Sequence, residues 1–240
     1  MKRQICSILL FIFCVTLQAQ LVAYPEGLKA NMPHNDDYTV RVRIPGGEWE
    51  DLFEYNVQVD MDAVQNASMV QFDMNGTVEV MVKKNNGTVR EVDIRPLSCN
   101  IQYRQNKNVI TFMLDKPQYL SVEFNGDRLH NLHLFANPLE TEVYKKAEKG
   151  IMYFGPGVHA PLDLPNNLIR VPGNTTVYLA PGAVLKAKLL VDGVENVRII
   201  GRGILAHPVR GIEVTNAKNV LIDGITVVNP NHYTGFGAGT

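Results

Sequence analysis

Between Tyr38 and Phe135 the chain alternates apolar and polar residues in short runs: YTVRVRI, FEYNVQVDM, TVEVMVKK, VREVDIR, VITFML, LSVEF and LHLFA. A period of two is that of a strand with one buried face. The runs are broken at Pro45-Gly46-Gly47, Asn75-Gly76, Asn85-Asn86-Gly87 and Asn125-Gly126. Asn-Gly is a strong short-range hairpin signal, because both residues accept the positive φ that tight hairpin turns need. Seven or eight strands at this spacing predict an antiparallel sandwich.

A second regime follows the charged connector NPLETEVYKKAEKG. Here the text repeats, as TVYLAPGAVL from Thr176, NVRIIGRGIL from Asn196 and NVLIDGITVV from Asn219. With Val177, Val197 and Val220 aligned, the steps are 20 and 23 residues; Ile169, Leu189 and Ile212 precede them at a constant offset, and Val184, Ile204 and Val227 follow at another. Short strands recurring every 20 to 25 residues or so, with aliphatic residues at matching sites, are what stacked coils of a parallel β-helix require. Asn196, Asn216 and Asn219 are expected at the bends, where asparagine tolerates left-handed backbone. The expected fold is therefore all-β: an antiparallel sandwich over residues 21–148, then the first coils of a right-handed parallel β-helix over 149–240, an incomplete solenoid.

The first twenty residues change the picture of where this happens. Lys2 and Arg3 precede an apolar run from Ile5 to Val15, and a short polar stretch ends at Ala19. That is the pattern of a secretory signal peptide, too short to span a bilayer as a helix. Residues 1–20 are thus expected to be removed, leaving no membrane anchor and a protein exported to the periplasm or the exterior. The whole chain has a formal net charge of -1, and loss of Lys2 and Arg3 takes it to about -3, which argues against nucleic acid as a partner. Cys99 would be the sole thiol, so the fold must rest on its core and not on disulfides.

One motif misleads. Gly201, Gly203 and Ala206 follow an apolar run in the spacing of a dinucleotide loop, with Asp223 where a ribose-binding acid is expected. That chemistry needs a helix to start at the third small residue. HPVRGIEVTNA follows instead, and Pro208, Gly211, Val214 and Thr215 oppose a helix. Nothing in the sequence calls for a cofactor.

At this point the coil residues resemble a known family. IMYFGPGVH, TTVYLAPGAVLKAKLLVDGVENVRIIGRGIL and NVLIDGITVVNPNHYT are similar to the opening coils of polygalacturonase-like glycoside hydrolases, family 28 and the related family 49 dextranases. VQFDMNGTVEVMV, DIRPLS and LSVEFNGDRLHNLHLFANPLE resemble the sandwich that precedes the β-helix in the family 49-like branch. The resemblance implies hydrolysis of O-glycosidic bonds in a pectin- or dextran-like polysaccharide, with inversion. One carboxylic acid then protonates the leaving oxygen while a carboxylate activates water on the opposite face. The family carries these groups in N-[ST]-D-G-hydrophobic-D, D-D and G-H-G patterns, none of which occurs in residues 149–240.

GFGAGT is not a polar cap, so the chain reads as the N-terminal part of such an enzyme, without catalytic residues of its own and inactive by itself. It is expected to be a monomer unless the open end of the solenoid pairs. Two alternatives stand beside that reading: a sandwich that binds carbohydrate without cutting it, and a structural or adhesive β-helix.

The candidate substrate-binding residues are His232 and Tyr233, just past the last strand, where an aromatic ring can stack on a sugar. Asp192 and Asp223 each precede glycine and read first as turn residues. His130 and His133, three apart on a strand, face opposite sides and cannot clamp one metal. His34, Asp36 and Asp37 read as a solvated loop rather than a cation site, and Trp49 and Tyr55 as core rather than a sugar platform.

Overall fold

The structure is a computed structural model that describes residues 19–24, 32–60, 62–161, 164–208, 210–232 and 234–239. Eleven strands come first: β1 (Gln20–Ala23), β2 (Tyr38–Arg43), β3 (Glu50–Asp51), β4 (Tyr55–Val59), β5 (Gln65–Asn75), β6 (Val78–Lys84), β7 (Val92–Arg95), β8 (Tyr103–Asn106), β9 (Val109–Leu114), β10 (Gln118–Phe124) and β11 (Asp127–Pro138). They form two sheets. One has the order β1-β5-β11-β10-β7 with β4 also paired to β5, and the other β3-β2-β6-β9-β8. Val40, Val42, Val80, Ile110 and Leu114 of the second sheet meet Val70, Phe72, Met74, Leu132 and Leu134 of the first in one buried core.

The stack is not wholly antiparallel, as the sequence led us to expect. β5 and β11, the two longest strands, run parallel, with Leu132 opposite Ser68 and Pro138 opposite Met74. Hairpin signals report only sequence neighbours, and these two strands are joined through the rest of the stack. β5 itself hides from pattern reading, because eight consecutive residues, Ala67 to Met74, are buried. Val70, Phe72 and Met74 point into the stack, while Ala67 and Met69 face a second cluster formed with the coils.

Four coils follow. They are β12 (Ile151–Phe154), β13 (Gly157–His159) and β14 (Leu168–Arg170); β15 (Thr175–Leu179), β16 (Ala183–Leu185) and β17 (Lys188–Asp192); β18 (Glu195–Gly201), β19 (Ile204–Ala206) and β20 (Ile212–Thr215); and β21 (Lys218–Asp223), β22 (Thr226–Val228) and β23 (Gly235–Ala238). Corresponding strands stack in parallel into three four-stranded sheets, β12-β15-β18-β21, β13-β16-β19-β22 and β14-β17-β20-β23. This is the expected β-solenoid. Its interior holds Val177, Leu179, Leu185, Leu189, Val191, Val197, Ile199, Leu205 and Ile212.

The expected stacking register holds throughout at one site and for one of two steps at each of the others. Ile169, Leu189 and Ile212 do stack. Val197 and Val220 also pair, but Val177 pairs with Ile199, and it is Thr175 that stands beside Val197. A slip of two residues keeps every side chain on its own face, so an alternating pattern cannot detect it. Val184 and Ile204 pair, yet the residue beside Ile204 is Thr226, and Val227 lies beside Leu205. Val184, Ile204 and Ala206 point outward onto Tyr55, Val57, Ala67 and Met69. That sheet is buried on both faces, so aliphatic residues occupy inward and outward sites alike and the phase is lost.

The bends are built as expected. Asn196, Asn216 and Asn219 take positive φ of 58°, 49° and 52°, and Asn174, which the sequence reading did not single out, takes 55°, a region asparagine enters more readily than other side-chain-bearing residues. Three of these amides form a ladder: Asn219 Nδ2 donates to Asn196 Oδ1 at 2.8 Å and Asn196 Nδ2 to Asn174 Oδ1 at 3.0 Å. Gly201 serves close approach, since a Cβ there would lie 2.0 Å from the Leu179 carbonyl oxygen at φ +127°. The glycine spacing that imitates a nucleotide loop is thus a stacking device, and the chain beyond Ala206 runs to another strand, β20.

Candidate functional site

The coils lie against the outer face of the six-stranded sheet, and a buried polar network joins them. Arg202, between β18 and β19, donates from Nε to Asp73 Oδ1 at 2.8 Å, from Nη2 to the Pro138 carbonyl at 2.7 Å and from Nη1 to the Gly201 carbonyl at 3.1 Å. Tyr24 donates its hydroxyl to the same Asp73 oxygen at 2.5 Å and accepts from Asn137 Nδ2 at 3.0 Å. Gln71 donates to the Arg202 carbonyl, and Thr226 donates to Gln71. Burial, and then the charge of Asp73, push the Tyr24 hydroxyl far above the usual tyrosine range. Burial opposes the charge of Arg202, but Asp73 more than offsets it and holds the guanidinium protonated. A buried charge is tolerated only when paired and hydrogen-bonded in this way.

Beside this network the connector after β11 crosses the outer face of the sheet β12-β15-β18-β21. Pro138, Glu140, Glu142, Arg198, Arg202 and Asp223 line a polar cleft there. Arg198 grips Glu142 with two bonds, 2.8 and 2.7 Å, and that contact holds the Glu142 carboxyl below the usual range. Glu140 accepts the Tyr178 hydroxyl at 3.1 and 3.2 Å, yet burial pushes its carboxyl above the usual range. Each carboxylate is thus held by a residue of the solenoid face, Glu142 by Arg198 and Glu140 by Tyr178. Both also tether the connector: Tyr144, four residues on, sets its ring edge against Tyr178 at 5.4 Å.

On another outer face, that of β14-β17-β20-β23, Glu213 is bound by Lys188 Nζ at 2.6 Å and Arg210 Nη1 at 3.1 Å. These contacts, Lys188 first, hold its carboxyl below the usual range. His232 is exposed in the turn between β22 and β23, and it lines none of the recesses described here. Tyr233 lies outside the described residues, as does the expected signal segment through residue 18.

The remaining sequence candidates find structural partners. Asp192 accepts the Thr215 hydroxyl at 2.6 Å, and Gly193 and Gly224 after the two Asp residues take φ of 65° and 76°, as turns require. His130 pairs with Asp127 Oδ2 at 2.9 Å, and His133, three residues on, is buried enough to push its imidazole below the usual range. His34 bridges Asp36 at 2.7 Å and Glu54 at 3.1 Å in a polar recess shared with Asn35, Asp37, Asn56 and Asn66. Tyr55 is core, 3% exposed. Trp49 is half-buried with the Arg43 guanidinium 4.1 Å over its ring, which occupies one stacking face.

Sequence reasoning missed Glu140 and Arg202. The connector reads as a charged loop, and only the topology shows that it lies on a solenoid face. A signal for Arg202 was present: it is an arginine between two glycines in the middle of an apolar stretch.

No protein-family model matches the chain, and no curated protein matches it by sequence. Among solved structures it resembles Dex49A from Penicillium minioluteum, with a TM-score of 0.63 and 17% identity over 88% of this chain and 59% of that one. Dex49A is a family 49 dextranase with a β-helix solenoid. At this identity the likeness is one of fold, and the chain spans about three fifths of the length of Dex49A.

Proposed function

We propose that this protein acts on polysaccharides, as the N-terminal part of an exported glycosidase that hydrolyses O-glycosidic bonds. The observation that carries the reading is the fold likeness to a dextranase over 88% of the chain, which takes in the stacked sheets as well as the coils. In support, a solenoid presents long outward faces to an extended polymer, as solenoids generally do. Inversion would use a carboxylic acid and a carboxylate on opposite sides of the scissile bond. The patterns that carry those aspartates in the resembling families do not occur in residues 149–240, so the reading assigns to this chain the holding of the polymer and not its cleavage.

The test incubates the purified chain with cross-linked dextran and with polygalacturonate beads, and measures retained protein and released reducing ends. Retention without release is expected. Release would overturn the division of labour, and failure of every polysaccharide to retain the protein would overturn the reading as a whole.

A further inference from the structure

The six-stranded sheet is wider than the coils that cover it. Its outer face carries Ala67 and Met69 on β5, Phe135 on β11 and Tyr119 on β10 in succession across the strands. The first three pack into the cluster shared with the solenoid. Tyr119, directly opposite Phe135 in the ladder, is left 61% exposed. Where the sheet emerges from under the fourth coil there is a groove lined by Tyr119, Phe135, Asn137, by Gly224 and Ile225 from the turn between β21 and β22, and by Thr226 at the start of β22.

Three features of this groove point to one kind of ligand. First, the Tyr119 ring is oriented before anything binds: it meets Phe135 edge to face, with centroids 5.5 Å apart and planes at 78°. An exposed aromatic ring fixed by its neighbour offers a flat apolar surface at little entropic cost.

Second, among the described residues the lining holds no ionisable acid or base other than the tyrosine. Arg202 sits directly behind Gly224, where a Cβ would lie 2.1 Å from Nη1, and Asp223, the residue before Gly224, lines the neighbouring cleft. Arg202 is neutralised there by Asp73.

Third, polar groups stand at the edges of the apolar surface. The Asn137 amide and the Thr226 hydroxyl are both anchored in the buried network, so their remaining lone pairs and protons have fixed directions. The recess measures about 270 Å³, a little under the ~300–1,000 Å³ of sites that enclose drug-sized ligands. It takes one ring against a wall and does not swallow a molecule.

We propose that this groove is a binding subsite for one neutral hexose unit of a polysaccharide, stacked on Tyr119. The inference rests on the polysaccharide reading above and narrows it. An aromatic face flanked by neutral donors and acceptors matches an uncharged sugar. A uronic acid would bring a carboxylate to a lining that has no free cation to meet it. The groove also lies where the stacked sheets and the solenoid meet, so a polymer seated there touches both.

The test is affinity electrophoresis of the intact chain in native gels containing dextran, with polygalacturonate as the charged comparison, for the wild type, Tyr119→Ala and Tyr119→Phe. Wild type is expected to be retarded by dextran more than by polygalacturonate. Tyr119→Ala should weaken dextran retardation about tenfold in apparent Kd, the order of one lost aromatic contact. Tyr119→Phe keeps the ring and should stay within about twofold of wild type. Because Tyr119 is exposed, both variants should keep the wild-type urea midpoint, which is measured alongside.

Equal retardation of wild type and Tyr119→Ala by dextran would overturn this subsite and leave the polysaccharide reading standing. Loss of polygalacturonate retardation alone in Tyr119→Ala would overturn the preference for a neutral sugar. No retardation of wild type by either polymer would overturn both the subsite and the reading beneath it.

Discussion

Replacing Arg202 by alanine should remove much of the stability that joins the coils to the sheet. The side chain is buried with Asp73, the two residues being 7% and 3% exposed. Truncation breaks the 2.8 Å ion pair and the bonds to the Pro138 and Gly201 carbonyls. Removing one partner of a buried pair leaves the other charge uncompensated, which costs about 3–5 kcal/mol. Tyr24 still donates to Asp73, so the lower half of that range applies.

Against a total stability of about 5–15 kcal/mol, the loss should move the urea midpoint down by roughly 1–2 M, taking an m-value of about 2–3 kcal/mol/M. Removing both charges, as Asp73→Leu with Arg202→Met, leaves nothing unpaired and should destabilise less than Arg202→Ala alone. Because the pair is buried, 0.5 M salt should change these differences little. A loss of stability for Arg202→Ala under about 1 kcal/mol, or a double variant worse than the sum of its singles, would refute the assignment of this network as the junction.

Further predictions concern the coils and the connector. Asn196→Ala removes both rungs of the amide ladder and puts alanine at φ 58°; thermal unfolding should show a loss of about 2–4 kcal/mol, with Asn196→Gly recovering the backbone part. Gly201→Ala forces a Cβ onto the Leu179 carbonyl and should abolish the cooperative urea transition, whereas a shift under about 1 kcal/mol would contradict the close approach. Glu140 holds its proton more tightly in the folded protein than in the unfolded chain, because burial raises its pKa. Its contribution is therefore fully present below the ordinary carboxylate pKa and is lost as pH rises through the raised folded value. Glu140→Gln, which still accepts from Tyr178, should match wild type in acid and exceed it in urea midpoint at neutral pH; a wild-type advantage at neutral pH would show that the ionised carboxylate is stabilising.

The sequence revealed elements that bury one face and missed those that bury two. The strands of the five-stranded sheet, such as Tyr38–Arg43 and Val78–Lys84, alternate cleanly and were legible as strands. β5 was not, because its second face is covered by coils that lie more than a hundred residues downstream. For the same reason Val184 and Ile204 read as solenoid interior although they face the sheet.

Repeat length and the bend asparagines showed the solenoid, since both are local. Register within it was legible only modulo two. Of the site, His232 and Tyr233 were chosen for their place after the last strand; His232 is exposed in that turn, and Tyr233 lies outside the described residues. Tyr119 sat unremarked in LSVEF's own strand, since nothing in an alternating run tells which outward residue a distant coil will cover.

The central claim is that this chain holds a neutral polysaccharide where sheets and solenoid meet. Isothermal titration of the purified chain with a size-fractionated dextran oligomer tests it most directly. The account predicts saturable binding to one class of sites, abolished by competing long-chain dextran and weakened in Tyr119→Ala. Flat titrations with neutral oligomers, together with saturable binding of an acidic oligogalacturonide, would contradict it.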